Sequence, residues 1–115
     1  MDILICEDNA LVAMDLEWSL KELGHTVLGV VATALDCRAR VEARPPDLVM
    51  VDLNLADGRT GLALVEDLAA KGTASIVVSG EAHLVGPGTS ARAVLAKPFR
   101  DAELAQALTE VERRS

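Results

Sequence analysis

LICEDNA, residues 4–10, sets the first problem. With Ile3 it contains the apolar run Ile3–Cys6, the kind of run a strand buried on both faces produces, and this run empties straight into two adjacent carboxylates, Glu7 and Asp8. Folding alone does not call for two charges at that point. Any fold assigned to the chain has to say what they are for.

Working outward, four more runs of the same kind follow: Val27–Val31, Leu48–Val51, Ile76–Val78 and Ala93–Ala96. All are apolar throughout instead of alternating, as strands covered on both faces should be. Helical periods separate them. Val12, Leu16, Leu20 and Leu23 form one stripe, with Gly24 as its stop. Ala34, Cys37 and Val41 form a second behind a capping pair, Thr33 and Asp36, and Pro45-Pro46 forbids its continuation. Gly61, Leu64, Val65 and Leu68 form a third, and Leu104, Leu108 and Val111 a last one behind a cap at Asp101. Alternation of strand and helix predicts an α/β fold, a parallel sheet with helices on both faces. One connection breaks the rhythm. Glu81–Ser90, EAHLVGPGTS, carries Gly86-Pro87-Gly88 where a helix is due, so at most one turn is expected near Glu81–Val85.

The chain has 115 residues, half of them apolar, which suits one globular domain over 1–115 and leaves no room for a second. A formal net charge of -7 argues against nucleic acid or an anionic membrane surface as direct partner, since both need a basic face. No apolar run approaches a membrane span, and the start of the chain has no basic, signal-like segment. Two cysteines, Cys6 and Cys37, make neither a disulfide framework nor a metal spacing and read as small core residues of a reduced, cytoplasmic protein.

In an open parallel sheet, ligands bind beyond the carboxyl ends of the strands. Those ends carry Glu7 and Asp8 on the first strand, Asp52 on the third, Ser79 on the fourth and Lys97 before Pro98 on the fifth. Two like charges about 4 Å apart repel by roughly 4 kcal/mol at an effective dielectric of 20, so three carboxylates need positive company. Lys97 supplies one charge, and a hard divalent cation such as Mg²⁺ would supply two.

This constellation resembles the receiver domain of two-component response regulators, over the whole chain. CEDN carries the acidic pair, VDLNLADG carries Asp52, VVSGE carries Ser79 and LAKPF carries Lys97 and Pro98. The resemblance implies a flavodoxin-like sheet of order 2-1-3-4-5, and Gly86-Pro87-Gly88 leaves the helix of its fourth crossover short or absent. It implies that Asp52 is the phosphoacceptor, with Mg²⁺ held by Glu7, Asp8, Asp52 and the backbone carbonyl of Asn54. Lys97 would pair with a phosphoryl oxygen and Ser79 would bond another. Asn54 and Glu81 would flank the attacking water. Implied partners are a sensor histidine kinase or a histidine phosphotransfer protein, together with a downstream protein, and the domain would be a signalling module, not an enzyme.

Departures from the family pattern also count. The position three before the lysine, usually aromatic, is Val94, and the short spacing from Ser79 to Lys97 predicts a reduced output face. These features suggest a stand-alone receiver that signals by binding or by onward phosphotransfer, or a piece of a larger regulator. They also keep open a receiver-like module that binds constitutively without phosphorylation. A small metal-dependent phosphatase ranks last, because no glycine-rich loop follows the first strand and Asn54 stands where a second aspartate is needed.

Other residues carry plainer readings. Asp8 alone would serve as a helix cap, and Asp57-Gly58 as a turn. His25 and His83 are expected in turn and surface positions, and Arg38, Arg40 and Arg44 on a solvated helix face. Leu11, Met14 and Trp18 form a second apolar stripe on the first helix, expected mainly to pack against the last helix, with kinase docking as the alternative.

Overall fold

The computed structural model describes residues 1–114. Its elements run β1 (Asp2–Cys6), α1 (Ala10–Glu22), β2 (Thr26–Val31), α2 (Ala34–Ala43), β3 (Leu48–Val51), α3 (Gly61–Ala70), β4 (Ala74–Ser79), β5 (Ala93–Ala96) and α4 (Asp101–Arg113). The five strands form one parallel sheet of order β2-β1-β3-β4-β5. Both the α/β alternation and the strand order match the sequence expectation.

Apolar runs become central strands here because each face of the sheet meets a different helix pair. Ile3, Ile5, Met50, Ile76 and Val78 point to α1 and α4, where Leu16, Leu20, Leu104 and Leu108 complete one core. Leu4, Cys6, Val49, Val51 and Val77 point to α2 and α3, and Cys37, Val41, Leu64 and Leu68 complete the other. The two cysteines therefore lie in one core, both buried and unbridged.

Helix ends follow local chemistry. Asn9, not Asp8, caps α1, its side chain accepting from the N–H groups of Leu11 at 3.1 Å and Val12 at 3.2 Å. After α1 the backbone must turn left-handed, and Gly24 does so at φ 90° while donating to the Lys21 carbonyl. Leu23 is the cap residue and is 39% exposed, so the buried stripe of α1 stops at Leu20. Thr33 accepts from Asp36 N–H at 3.0 Å, and α2 ends at Ala43 before the proline pair. The expected cap at Asp101 is corrected: Asp101 is the first residue of α4, and the Glu103 carboxylate reaches back to accept from Arg100 N–H at 3.0 Å.

Between β4 and β5 only a single 3₁₀ turn forms, Ala82–Leu84, within the window the sequence allowed. Glycine and proline leave the rest of that connection, to residue 92, without a helix. Three surface readings change as well. Arg38 pairs with Asp67 of α3 at 2.7 Å and Arg40 bonds the Leu28 carbonyl at 3.3 Å, so this face is tied down and not merely solvated. The His25 ring is mostly buried, with Nδ1 3.0 Å from the Met1 amine. No helix is long and apolar enough to cross a membrane, among the described residues.

Candidate functional site

Register brings the charged strand ends together. Glu7 follows β1, Asp52 follows β3, and parallel pairing of Cys6 with Val51 sets them side by side, with Asp52 N–H donating to the Cys6 carbonyl at 3.1 Å. Pairing of Val51 with Val77 and of Ser79 with Ala96 brings in Ser79 and then Lys97. Lys97 N–H donates to the Ser79 carbonyl at 3.0 Å.

Lys97 is the bridge. Its ammonium donates to Glu7 Oε1 at 2.6 Å and to Asp52 Oδ2 at 3.0 Å. Glu7 is 5% exposed and Asp52 9%, so each carboxylate would be costly to leave without a cation. Burial pushes the Glu7 carboxyl above its usual range, against the pull of the Lys97 contact and of Asn9 N–H, which donates to Oε2 at 3.1 Å. Burial also pulls on Lys97 in the neutralising direction. Its bonds to Glu7 and Asp52 outweigh this and hold the ammonium above its ordinary value, protonated at neutral pH.

Asp8 is exposed and stands outside this ion pair. Carboxylate oxygens of Glu7, Asp8 and Asp52 nevertheless lie within 4.8 Å of one another. Three carboxylates against one ammonium leave an uncompensated negative charge in an all-oxygen setting, which suits a hard divalent cation. Asn54 N–H lies 3.4 Å from Asp52 Oδ1. Ser79 is 1% exposed, and its hydroxyl oxygen accepts from Glu81 N–H at 3.0 Å. All the residues singled out at the strand ends thus share one edge of the sheet.

Three residues between β3 and the first turn of α3 were missed as parts of this site. A Cβ on Gly61 would lie 2.1 Å from the Asp52 carbonyl oxygen and 2.6 Å from Leu53 Cα, so only glycine lets α3 start against the strand that presents Asp52. Asp57 does more than turn: its carboxylate accepts from Ala34 N–H at 3.1 Å and Leu35 N–H at 3.3 Å, capping α2 from another loop, and from the Thr60 hydroxyl at 2.9 Å. Arg59 pairs with Glu81 at 3.1 Å, and Glu81 also accepts from the Asn54 amide. The local signal was a polar cluster, DGRT, between a strand and a helix.

The second stripe of α1 does not pack on α4. Leu11, Met14 and Trp18 are 73%, 65% and 69% exposed, which corrects the expected burial. Trp18 edges an open groove of about 570 Å³ between α1 and the segment entering α4, lined also by Val12, Leu16, Pro98 and Phe99.

Residues 3–109 match the response regulator receiver domain family. The chain belongs to that family. It is 34% identical to the phyllosphere-induced regulator PhyR of Methylorubrum extorquens over 113 residues, 95% of this chain and 42% of that protein. The solution structure of SdrG from Sphingomonas melonis shares 35% identity at a TM-score of 0.83, covering 97% of this receiver domain and 96% of SdrG. The anti-anti-sigma factor PhyR from Bartonella quintana shares 27% identity at a TM-score of 0.86, with 98% of this chain and 47% of that one covered. This receiver domain spans about half the length of the curated relatives it matches. Receiver domains belong to two-component signalling and are not conventional enzymes.

Proposed function

We propose that Asp52 accepts a phosphoryl group from a phosphohistidine of a sensor kinase or a histidine phosphotransfer protein, in a Mg²⁺-dependent step. The observation that carries this reading is the Glu7, Asp8 and Asp52 cluster with Lys97 bonded into it at the carboxyl edge of a receiver sheet. An oxygen of the Asp52 carboxylate forms a bond to phosphorus, and the phosphorus–nitrogen bond of the phosphohistidine breaks with its electron pair returning to the imidazole. Glu7, Asp8 and Asp52, with the Asn54 carbonyl, would hold the cation, which when bound neutralises charge on the phosphoryl oxygens. Lys97 is already protonated and within reach of Asp52, so it can turn from Oδ2 to a phosphoryl oxygen. Ser79 can donate its hydroxyl proton to another while keeping the bond from Glu81 N–H.

A bond from Ser79 to the phosphoryl group would draw the loop after β4 inward, and output follows from that movement. With Val94 where the family carries an aromatic ring, and only a 3₁₀ turn in the fourth crossover, signalling passes to a protein partner or onward to another phosphotransfer protein. An anti-anti-sigma factor among its relatives favours a protein partner. The exposed Leu11, Met14 and Trp18 stripe with its groove is the surface for the kinase's helical hairpin. Residues 1–115 act as one receiver unit in the cytoplasm.

The test is the intact mass after incubation with a small-molecule phosphodonor, with and without Mg²⁺, beside Asp52→Asn. One added phosphoryl group that requires Mg²⁺ and is lost in the variant supports the reading. An unmodified wild type that still binds Mg²⁺ would replace it with constitutive partner binding.

A further inference from the structure

Glu81 is held at three points. Its backbone N–H donates to Ser79 Oγ at 3.0 Å, one carboxylate oxygen accepts from the Asn54 side-chain amide, and the other pairs with Arg59 at 3.1 Å. Asn54 and Arg59 belong to the loop after β3, and Glu81 to the loop after β4. The first loop follows Asp52 directly, with Asn54 N–H 3.4 Å from Asp52 Oδ1, and the second follows the strand paired beside β3. A strap of three side chains therefore crosses between them, with Glu81 at its centre.

We propose that Arg59 is a positioning residue which, by pairing with Glu81, keeps this strap closed beside Asp52 and lengthens the life of the phosphoryl group there. The inference rests on the phosphoacceptor reading of Asp52. Hydrolysis needs a water oxygen to form a bond to phosphorus on the side away from Asp52. The bond from phosphorus to the Asp52 oxygen breaks with its electron pair going to the carboxylate, and the water's protons pass to phosphate and solvent. While both oxygens of Glu81 are engaged by Asn54 and Arg59, its carboxylate neither swings aside to admit that water nor accepts its proton. Releasing Arg59 frees one oxygen and leaves Glu81 on a single side-chain contact. Arg59 is 71% exposed and Glu81 39% at their side chains, so the pair is weak and salt-sensitive, fit to modulate a rate and not to hold the fold.

The domain is phosphorylated with acetyl phosphate and Mg²⁺, the donor is removed, and loss of the phosphoryl group is followed by intact mass for wild type, Arg59→Ala and Arg59→Lys. At low salt Arg59→Ala should decay about two- to fivefold faster than wild type, equivalent to about 0.4–1 kcal/mol. Arg59→Lys should stay near wild type. Raising ionic strength to about 1 M, where the Debye length is about 3 Å, should speed the wild type toward Arg59→Ala and leave that variant nearly unchanged, a response that loss of fold stability would not give. Equal or slower decay of Arg59→Ala at low salt overturns the inference and leaves the phosphoacceptor reading intact. A wild type that takes no phosphoryl group overturns both.

Discussion

Substituting Gly61 by alanine puts a methyl group where the end of β3 already lies. The new carbon would sit 2.1 Å from the Asp52 carbonyl oxygen, 2.9 Å from its carbonyl carbon and 2.6 Å from Leu53 Cα, whereas real Cβ atoms essentially never approach within 3.0 Å. Backbone cannot rotate aside as a flexible side chain can, so the start of α3 must retreat by about 0.9 Å or the end of β3 must bend. Overpacking of this kind typically costs about 1–3 kcal/mol, and a purely backbone clash belongs at the upper end. Alanine restricts the unfolded chain more than glycine, which offsets about 0.4–1 kcal/mol. The net expectation is a loss of about 2–2.5 kcal/mol, read from urea unfolding as a lower midpoint at unchanged slope. Gly58→Ala is the control. It has open space around the new carbon, so its φ of 107° supplies strain without a clash and without displacing Asp52. Acceptance of a phosphoryl group should fall in Gly61→Ala, at temperatures where it is still folded, and persist in Gly58→Ala. A Gly61→Ala protein as stable and as readily phosphorylated as wild type would refute the idea that the α3 start fixes the position of Asp52.

Two further expectations concern residues away from the acidic cluster. Burial first, and the adjacent Met1 amine second, depress the His25 imidazolium, against the opposing pull of Glu112. Its folded value lies below the unfolded one, so its contribution to stability is complete above about pH 6.5 and is lost as pH falls through the folded value. Denaturant midpoints of wild type should therefore drop across mildly acidic pH more steeply than those of His25→Gln, and parallel curves would contradict this. Trp18→Ala should leave stability within about 0.5 kcal/mol of wild type, because the ring is 69% exposed. The same change should slow phosphotransfer from the cognate kinase while sparing acetyl phosphate, and equal slowing with both donors would place the role of Trp18 elsewhere.

The parts legible in the sequence were those where one physical demand dominates. Strands such as Leu48–Val51 are buried on both faces and admit only apolar residues, so a continuous run suffices to find them. Glu7, Asp52, Ser79 and Lys97 could be gathered on one edge because a parallel sheet puts every strand's carboxyl end there. What escaped depends on contacts between loops. Asp57 caps a helix more than twenty residues upstream, and Arg59 meets Glu81 across the site, neither of which has a local spacing to betray it. Trp18 was misplaced because ring size argues for burial on average, while the position of a stripe around the helix decides the individual case. The shift of the α1 cap from Asp8 to Asn9 is a one-residue matter that leaves Asp8 free for the acidic cluster.

The sheet also divides the interior into two apolar compartments that share no side chain among the described residues. Neighbours along one strand, such as Leu4 and Ile5, answer to different helix pairs. A cavity made at Leu68 on one side and another at Leu108 on the other can communicate only through the strands' backbone. Their costs should then sum to within about 0.5 kcal/mol, whereas two cavities on the same side should not. Such a molecule can drift in sequence on one face while the other is held fixed. The strand ends that carry the charged residues are the common boundary along which both histories must agree.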